Sequence, residues 1–151
     1  MRVSAKVDYA VRAALELAAA DEGPTKGDRI AEAQKIPLKF LVNILSELRR
    51  AGIVGSQRGA EGGYWLAKPP GAVSIADIIR AVEGPLADVH GTPPEKLKFA
   101  GPAKPLKDVW VAARAGLRSV LEEVTLADIV SGDLPHVVAE MTASKGAWAR
   151  R

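Results

Sequence analysis

The sequence predicts a mainly α fold that carries one small β-hairpin and a long helix set apart from the rest. Three observations lead there. Apolar residues recur at helical spacing through the first fifty positions and again over about 105–124. A glycine-dense stretch, "RGAEGG", sits between two short β-type runs, and five prolines between 85 and 105 separate the two helical regions.

Taken in order, Val3, Val7, Ala10, Val11, Ala14, Leu15 and Ala18 step by three and four and predict an amphipathic first helix. "DEGPT" ends it. Thr25 followed by Asp28 has the spacing of a capping box and predicts a short second helix over about 26–34. In "KIPLKFLVNILSELRRAG", Pro37 suits a first turn and Gly52 a C-terminal stop, with Leu38, Leu41, Ile44, Leu45 and Leu48 as the buried stripe. Lys39 and Asn43 lie one turn apart on the opposite face. "IVGSQ" and "YWLAK" then read as two strands joined by a turn whose Gly59, Gly62 and Gly63 supply positive φ and leave the tip thin. Alternation on the second strand sends one of Tyr64 and Trp65 inward and rests the other on the hairpin. Ser74 with Asp77 starts a helix that Gly84 ends.

Two helices on a short connector followed by a hairpin make a winged helix-turn-helix, here over residues 1–84. Its second helix is shaped to enter a DNA major groove, with the wing beside it. Residues 85–105 read as a surface loop without a regular element, because prolines 85, 93, 94, 102 and 105 leave no room for one. Leu106, Val109, Trp110, Ala113, Leu117, Val120, Leu121 and Val124 then form an apolar stripe with no obvious partner. A second copy of the chain is the favoured cover, ahead of packing back on the first helix. Thr125 with Asp128 starts a short last helix, so 106–132 hold a dimerisation helix and that last helix, and 133–151 a flexible tail in which Trp148 has no assigned role.

Composition narrows the chemistry. At 48% hydrophobic and 26% charged the chain is of globular type, and no apolar run reaches bilayer-spanning length. The first residues lack a signal-peptide core, so a cytoplasmic protein with no membrane partner is expected. Cysteine is absent, which removes disulfides, thiolate nucleophiles and cysteine-ligated clusters. No nucleophile–base series, phosphate loop or metal triad can be assembled, so no enzyme is expected. The net charge of +3 is uneven: in 35–68, Lys35, Lys39, Arg49, Arg50, Arg58 and Lys68 face only Glu47 and Glu61. Such a balance suits an acidic partner such as double-stranded DNA.

The run from "RIAEAQKIPLKFLVNILSELRRAGIV" through Arg58-Gly59, Gly62-Gly63-Tyr64 and Leu66 to "SIADIIRAVEGP" resembles the Rrf2 family of bacterial winged-helix transcription regulators. The likeness starts at "SAKVDYAVRAALELA" and continues more weakly through the long helix. It implies a homodimer with crossing C-terminal helices on a palindromic operator, acting as a repressor. It also implies a recognition helix at about 38–50, a contact set at Pro37, Lys39, Phe40 and Asn43, and a minor-groove wing arginine at Arg58, beside Gly59. Iron–sulfur members carry three cysteines in the stretch that is 85–105 here, where this chain has none, so no cofactor is expected. Asp8 falls where one branch uses an acidic cluster ligand, and without thiolates it reads as an exposed helix residue.

The chemistry of those side chains fits the role. An Asn amide pairs bidentately with adenine, and Lys reaches guanine or a phosphate. Arg58 gains from the negative potential of a narrow A·T-rich minor groove. Arg50, Ser56, Gln57 and Lys68 are candidate phosphate contacts. Phe40 also reads as a helix-packing residue, and Lys39 as a solvated surface charge. Two alternatives stay open. One is a regulator that senses a small metabolite or partner protein through the 85–105 loop, with Trp110 as pocket wall and His90 as a sensing group; the other is a dimeric adaptor that does not bind DNA. His136 has no reading.

Overall fold

The computed structural model describes residues 1–150; Arg151, the last residue of the expected tail, lies outside the described residues. Helix α1 (Ala5–Ala19) begins where the Ser4 hydroxyl accepts the Val7 N–H at 3.1 Å, so Val3 precedes the helix and is exposed. Its buried face is Val7, Ala10, Ala13, Ala14 and Leu17, and the alanines let neighbouring helices approach closely. Around it pack α2 (Gly27–Gln34), α3 (Leu38–Arg50), α4 (Ile75–Glu83) and α6 (Leu126–Ser131). Ile30, Leu41, Leu45, Leu48, Ile78 and Leu126 join the α1 residues in a single core.

The turn between α2 and α3 is tight. Lys35 adopts the left-handed conformation (φ 52°) and the buried Ile36 donates its N–H to the Ala31 carbonyl at 2.9 Å. Lys35 thus occupies a position that glycine fills without a Cβ clash. Lys35→Gly is expected to raise stability by about 0.5–1 kcal/mol in urea unfolding, the left-handed strain outweighing the extra freedom of the unfolded chain. A lower stability would assign Lys35 a stabilising contact.

Two expectations fail near these helices. Thr25 does not cap α2: its N–H and carbonyl both pair with Tyr64 at 2.8 Å, so the capping position falls to Lys26, which makes no side-chain cap. Leu38 does not belong to the buried stripe; it lies exposed in the first turn of α3, while Leu41, Ile44, Leu45 and Leu48 are buried as expected.

Strands β1 (Val54–Gln57) and β2 (Gly63–Leu66) pair antiparallel, with Ser56 opposite Tyr64 and Gly55 opposite Trp65. Tyr64 turns inward onto the core and Trp65 stays on the outer face over Gly55, where a Cβ would stand 2.5 Å from the indole. Gly62 is required for closeness rather than for positive φ, since a Cβ there would lie 2.1 Å from the Gln57 carbonyl oxygen.

Residues 85–105 hold two short 3-10 turns, Pro94–Lys96 and Gly101–Ala103, each with proline in its first turn, where the missing N–H is harmless. This stretch docks on α5 (Leu106–Leu121) through the buried Pro94 and a 2.7 Å Arg114–Glu95 ion pair. Helix α5 has no buried residue.

Within 106–132, α6 packs on α1 and Leu126 sits in the main core. The Val124 carbonyl accepts the Ile75 N–H at 3.0 Å, and the Val73 carbonyl accepts the Leu126 N–H at 3.0 Å. Val124 is therefore covered within its own chain and is not free for a partner. Ser74–Asp77 and Thr125–Asp128 both form capping boxes. Hydrogen bonds from the Thr125 backbone and hydroxyl hold the Asp128 carboxyl below its ordinary 3.8. Its stabilisation is therefore complete above that value and is lost as the pH falls through the lower, folded value. In melts across that range, the Tm gap between wild type and Asp128→Ala should close on acidification; a constant gap would sever it from this titration.

The tail is not frayed over 136–148. Helices α7 (His136–Thr142) and α8 (Lys145–Trp148) follow, and the Trp148 indole N–H donates to the Thr142 carbonyl at 2.8 Å, closing α8 onto the end of α7. His136 pairs with Glu140 on the surface.

Candidate nucleic-acid interface

Helix α3 presents two rows to solvent. Lys39 and Asn43 form one, Leu38 and Val42 the other, with Ser46, Arg49 and Arg50 beyond them. Pro37 caps the helix and its carbonyl accepts the N–H groups of Phe40 and Leu41 at 3.0 and 3.1 Å. Phe40 is 61% exposed, which overturns the helix-packing reading and leaves its ring on the surface. Glu47 is drawn off the outer face by a 2.8 Å ion pair with Lys6 of α1.

The wing stands beside this helix and is tied to it. The Arg49 guanidinium donates to the Ser56 hydroxyl at 3.2 Å, and the Lys26 ammonium donates to the Gly59 carbonyl at the wing tip at 2.9 Å. Between them lies a cleft of about 420 Å³ lined by Val42, Ser46, Arg49, Ser56, Gln57 and Arg58. The cleft sets Ser56, Gln57, Arg58 and Gly59 of the wing against Val42, Ser46 and Arg49 of α3, while Lys39, Asn43 and Arg50 are exposed on the same helix and do not line it. Lys68 is in neither group: it sits at the base of the hairpin beside Ile53, Asp77 and Arg80. Arg49 and Lys26 were missed, because their roles depend on Ser56 and Gly59, contacts that local spacing does not disclose.

Elsewhere, Asp8 is an exposed helix residue paired with Arg12 at 2.7 Å. His90 is exposed and left-handed (φ 53°) in the turn that pairs Val89 with Thr92. An apolar groove of about 360 Å³ runs along Val120, Leu121, Ile129, Leu134 and Val138. It lies toward the end of α5 rather than against Trp110, where a pocket was expected.

A family profile described as "Rrf2: Iron-dependent Transcriptional regulator" matches residues 3–132. The chain belongs to the Rrf2 family. A candidate HTH-type transcriptional regulator of Mycobacterium tuberculosis H37Rv is 52% identical over 142 residues, 93% of this chain and 88% of the relative. Among solved structures, CymR, the global cysteine regulator of Bacillus subtilis, superposes with a TM-score of 0.73 at 38% identity, covering 87% of this chain and 97% of that one. IscR of T. potens does so with a TM-score of 0.70 at 33% identity, covering 99% and 97%. The protein is thus an Rrf2-type DNA-binding transcriptional regulator with a mainly α winged helix-turn-helix fold.

The iron in the family description does not suit this chain's donors. Thiolates are lacking, and among the described residues no group of three or more His, Asp or Glu side chains is placed to hold a metal ion. No helix among those residues is long and apolar enough to cross a membrane.

Proposed function

We propose that two copies of this chain, joined along α5, bind a palindromic operator and repress transcription without an iron–sulfur cluster. The observation that carries this is the fixed pairing of α3 with the wing, through Arg49–Ser56 and Lys26–Gly59. In each half-site, α3 enters the major groove with Lys39 and Asn43 against base edges. Arg58 enters the adjacent minor groove, and Arg50, Ser56 and Gln57 hold the phosphates. A dimer on such a site excludes other proteins from the same DNA, which is how repression follows. The dimer rests on α5, where Val109, Trp110 and Ala113 are exposed and Leu106 and Leu117 half-buried, while Leu121 packs against the core of its own chain. Residues 1–84 with α6 then form the DNA-reading body, and the loop 85–105 braces the dimer helix.

The test is selection of bound sites from a random DNA pool by the full-length protein. A palindrome with A·T-rich sequence under the wing is expected; enrichment of a single unpaired half-site, or of nothing, would overturn the proposal. The effector alternative has one observation in its favour, the apolar groove beside Val120 and Val138, which suits an apolar ligand or a hydrophobic partner segment.

A further inference from the structure

Leu38 and Val42 are 48% and 46% exposed, one helical turn apart, on the face of α3 that the fold leaves uncovered. Their row runs parallel to Lys39 and Asn43. Val42 also lines the cleft toward the wing, together with Arg49 of α3 and Arg58 of the wing. Two branched apolar side chains set among cations need a partner that is acidic overall and locally apolar. Helical periodicity assigned Leu38 to the core, and the structure removes it from there.

We propose that Leu38 and Val42 read the C5-methyl groups of thymines in the operator major groove. The inference rests on the DNA-binding reading above and adds to it the base chemistry of the half-site. Thymine is the base whose major-groove edge carries a methyl group, and apolar side chains recognise it by excluding water from that methyl. The surrounding charge fits: Arg49, Arg58 and Lys26 line the same cleft as Val42, and Glu47, the one carboxylate of α3, is held by Lys6. The two rows then act together. Asn43 pairs with an adenine, and the apolar row touches thymine methyls at neighbouring steps, so the half-site is read as A·T-containing in the major groove as well as under the wing.

The experiment replaces each thymine of the selected operator, singly, by deoxyuridine, which keeps the pairing and removes the methyl. Loss of one buried methyl group corresponds to about a fourfold weaker affinity at 25 °C. Wild-type protein is expected to show this loss at one or two positions in each half-site. Val42→Ala and Leu38→Ala, both at exposed positions that leave the core intact, are expected to bind thymine and uracil operators alike at the position each one touches. Equal binding of both operators by wild type at every position would overturn this inference alone, as would full thymine preference in both variants. Failure to bind any operator would remove the DNA-binding reading with it.

Discussion

Arg58→Ala weakens operator binding by about 1–3 kcal/mol and leaves the fold unchanged. The side chain is exposed at the shoulder of the wing tip, and among the described residues it enters none of the ion pairs that occupy Lys6, Arg12, Arg80, Arg114 and Arg118. Its charge is therefore available to a ligand without first leaving a protein partner. The tip that carries it is narrow and anchored: Gly62 lies too close to the Gln57 carbonyl for any side chain, and Lys26 holds the Gly59 carbonyl. With the backbone of the tip anchored, only the Arg58 side chain has to be ordered when it enters a groove, so much of its electrostatic gain is kept. In fluorescence anisotropy against the selected operator, the loss should be largest where the minor groove under the wing is A·T-rich and narrow. It should also reduce the salt dependence of binding, because a cation no longer displaces counterions. Unchanged affinity across an operator series would take Arg58 out of the interface.

Much of the shape of this surface was legible because it depends on local pattern. The spacing of Leu41, Ile44, Leu45 and Leu48 orients α3, and once its inner face is known Lys39 and Asn43 must point out. Alternation at Tyr64 and Trp65 likewise tells the inner face of the wing from the outer. The errors come from contacts distant in sequence. Thr25 and Asp28 carry a capping-box spacing, but the Thr25 backbone pairs with Tyr64, thirty-nine positions on, and two backbone hydrogen bonds outweigh one side-chain cap. Leu38 has the right period and the wrong place: it sits at the margin of the buried stripe, in the first turn of α3, and stays exposed. Val124 extends the apolar stripe of α5 in sequence, yet the chain turns at Glu122–Glu123, ahead of it, and Val124 and Leu126 return to pair with Ile75 and Val73. Helices α7 and α8 did leave a signal, Val137, Val138 and Met141 at helical spacing after Pro135, but so short a run is indistinguishable from loop without its tertiary support.

Val109→Glu separates the dimer and lowers operator affinity by about 10²–10⁴-fold, the largest effect expected of any single change outside the core. Val109 is 55% exposed on a helix with no buried residue, so a carboxylate there costs the isolated protomer nothing in packing. In a two-fold assembly the same change occurs on both faces at once, setting two carboxylates into one apolar seam. The consequence for DNA follows from geometry. Arg80 of α4 and Arg118 of α5 both bind Glu122, which keeps that carboxyl below the usual range and clamps α5 to the body that carries α3. With α5 paired, the two recognition helices are held at one separation, and the second half-site is met at high effective concentration. Without it, each protomer binds a half-site alone. Sedimentation velocity should show Val109→Glu as a monomer with the wild-type melting temperature, and its residual DNA binding should be the same for a palindrome and for one half-site. A variant that sediments as a dimer at wild-type affinity would move the contact between copies away from α5, and with it the rule that sets the spacing of the half-sites.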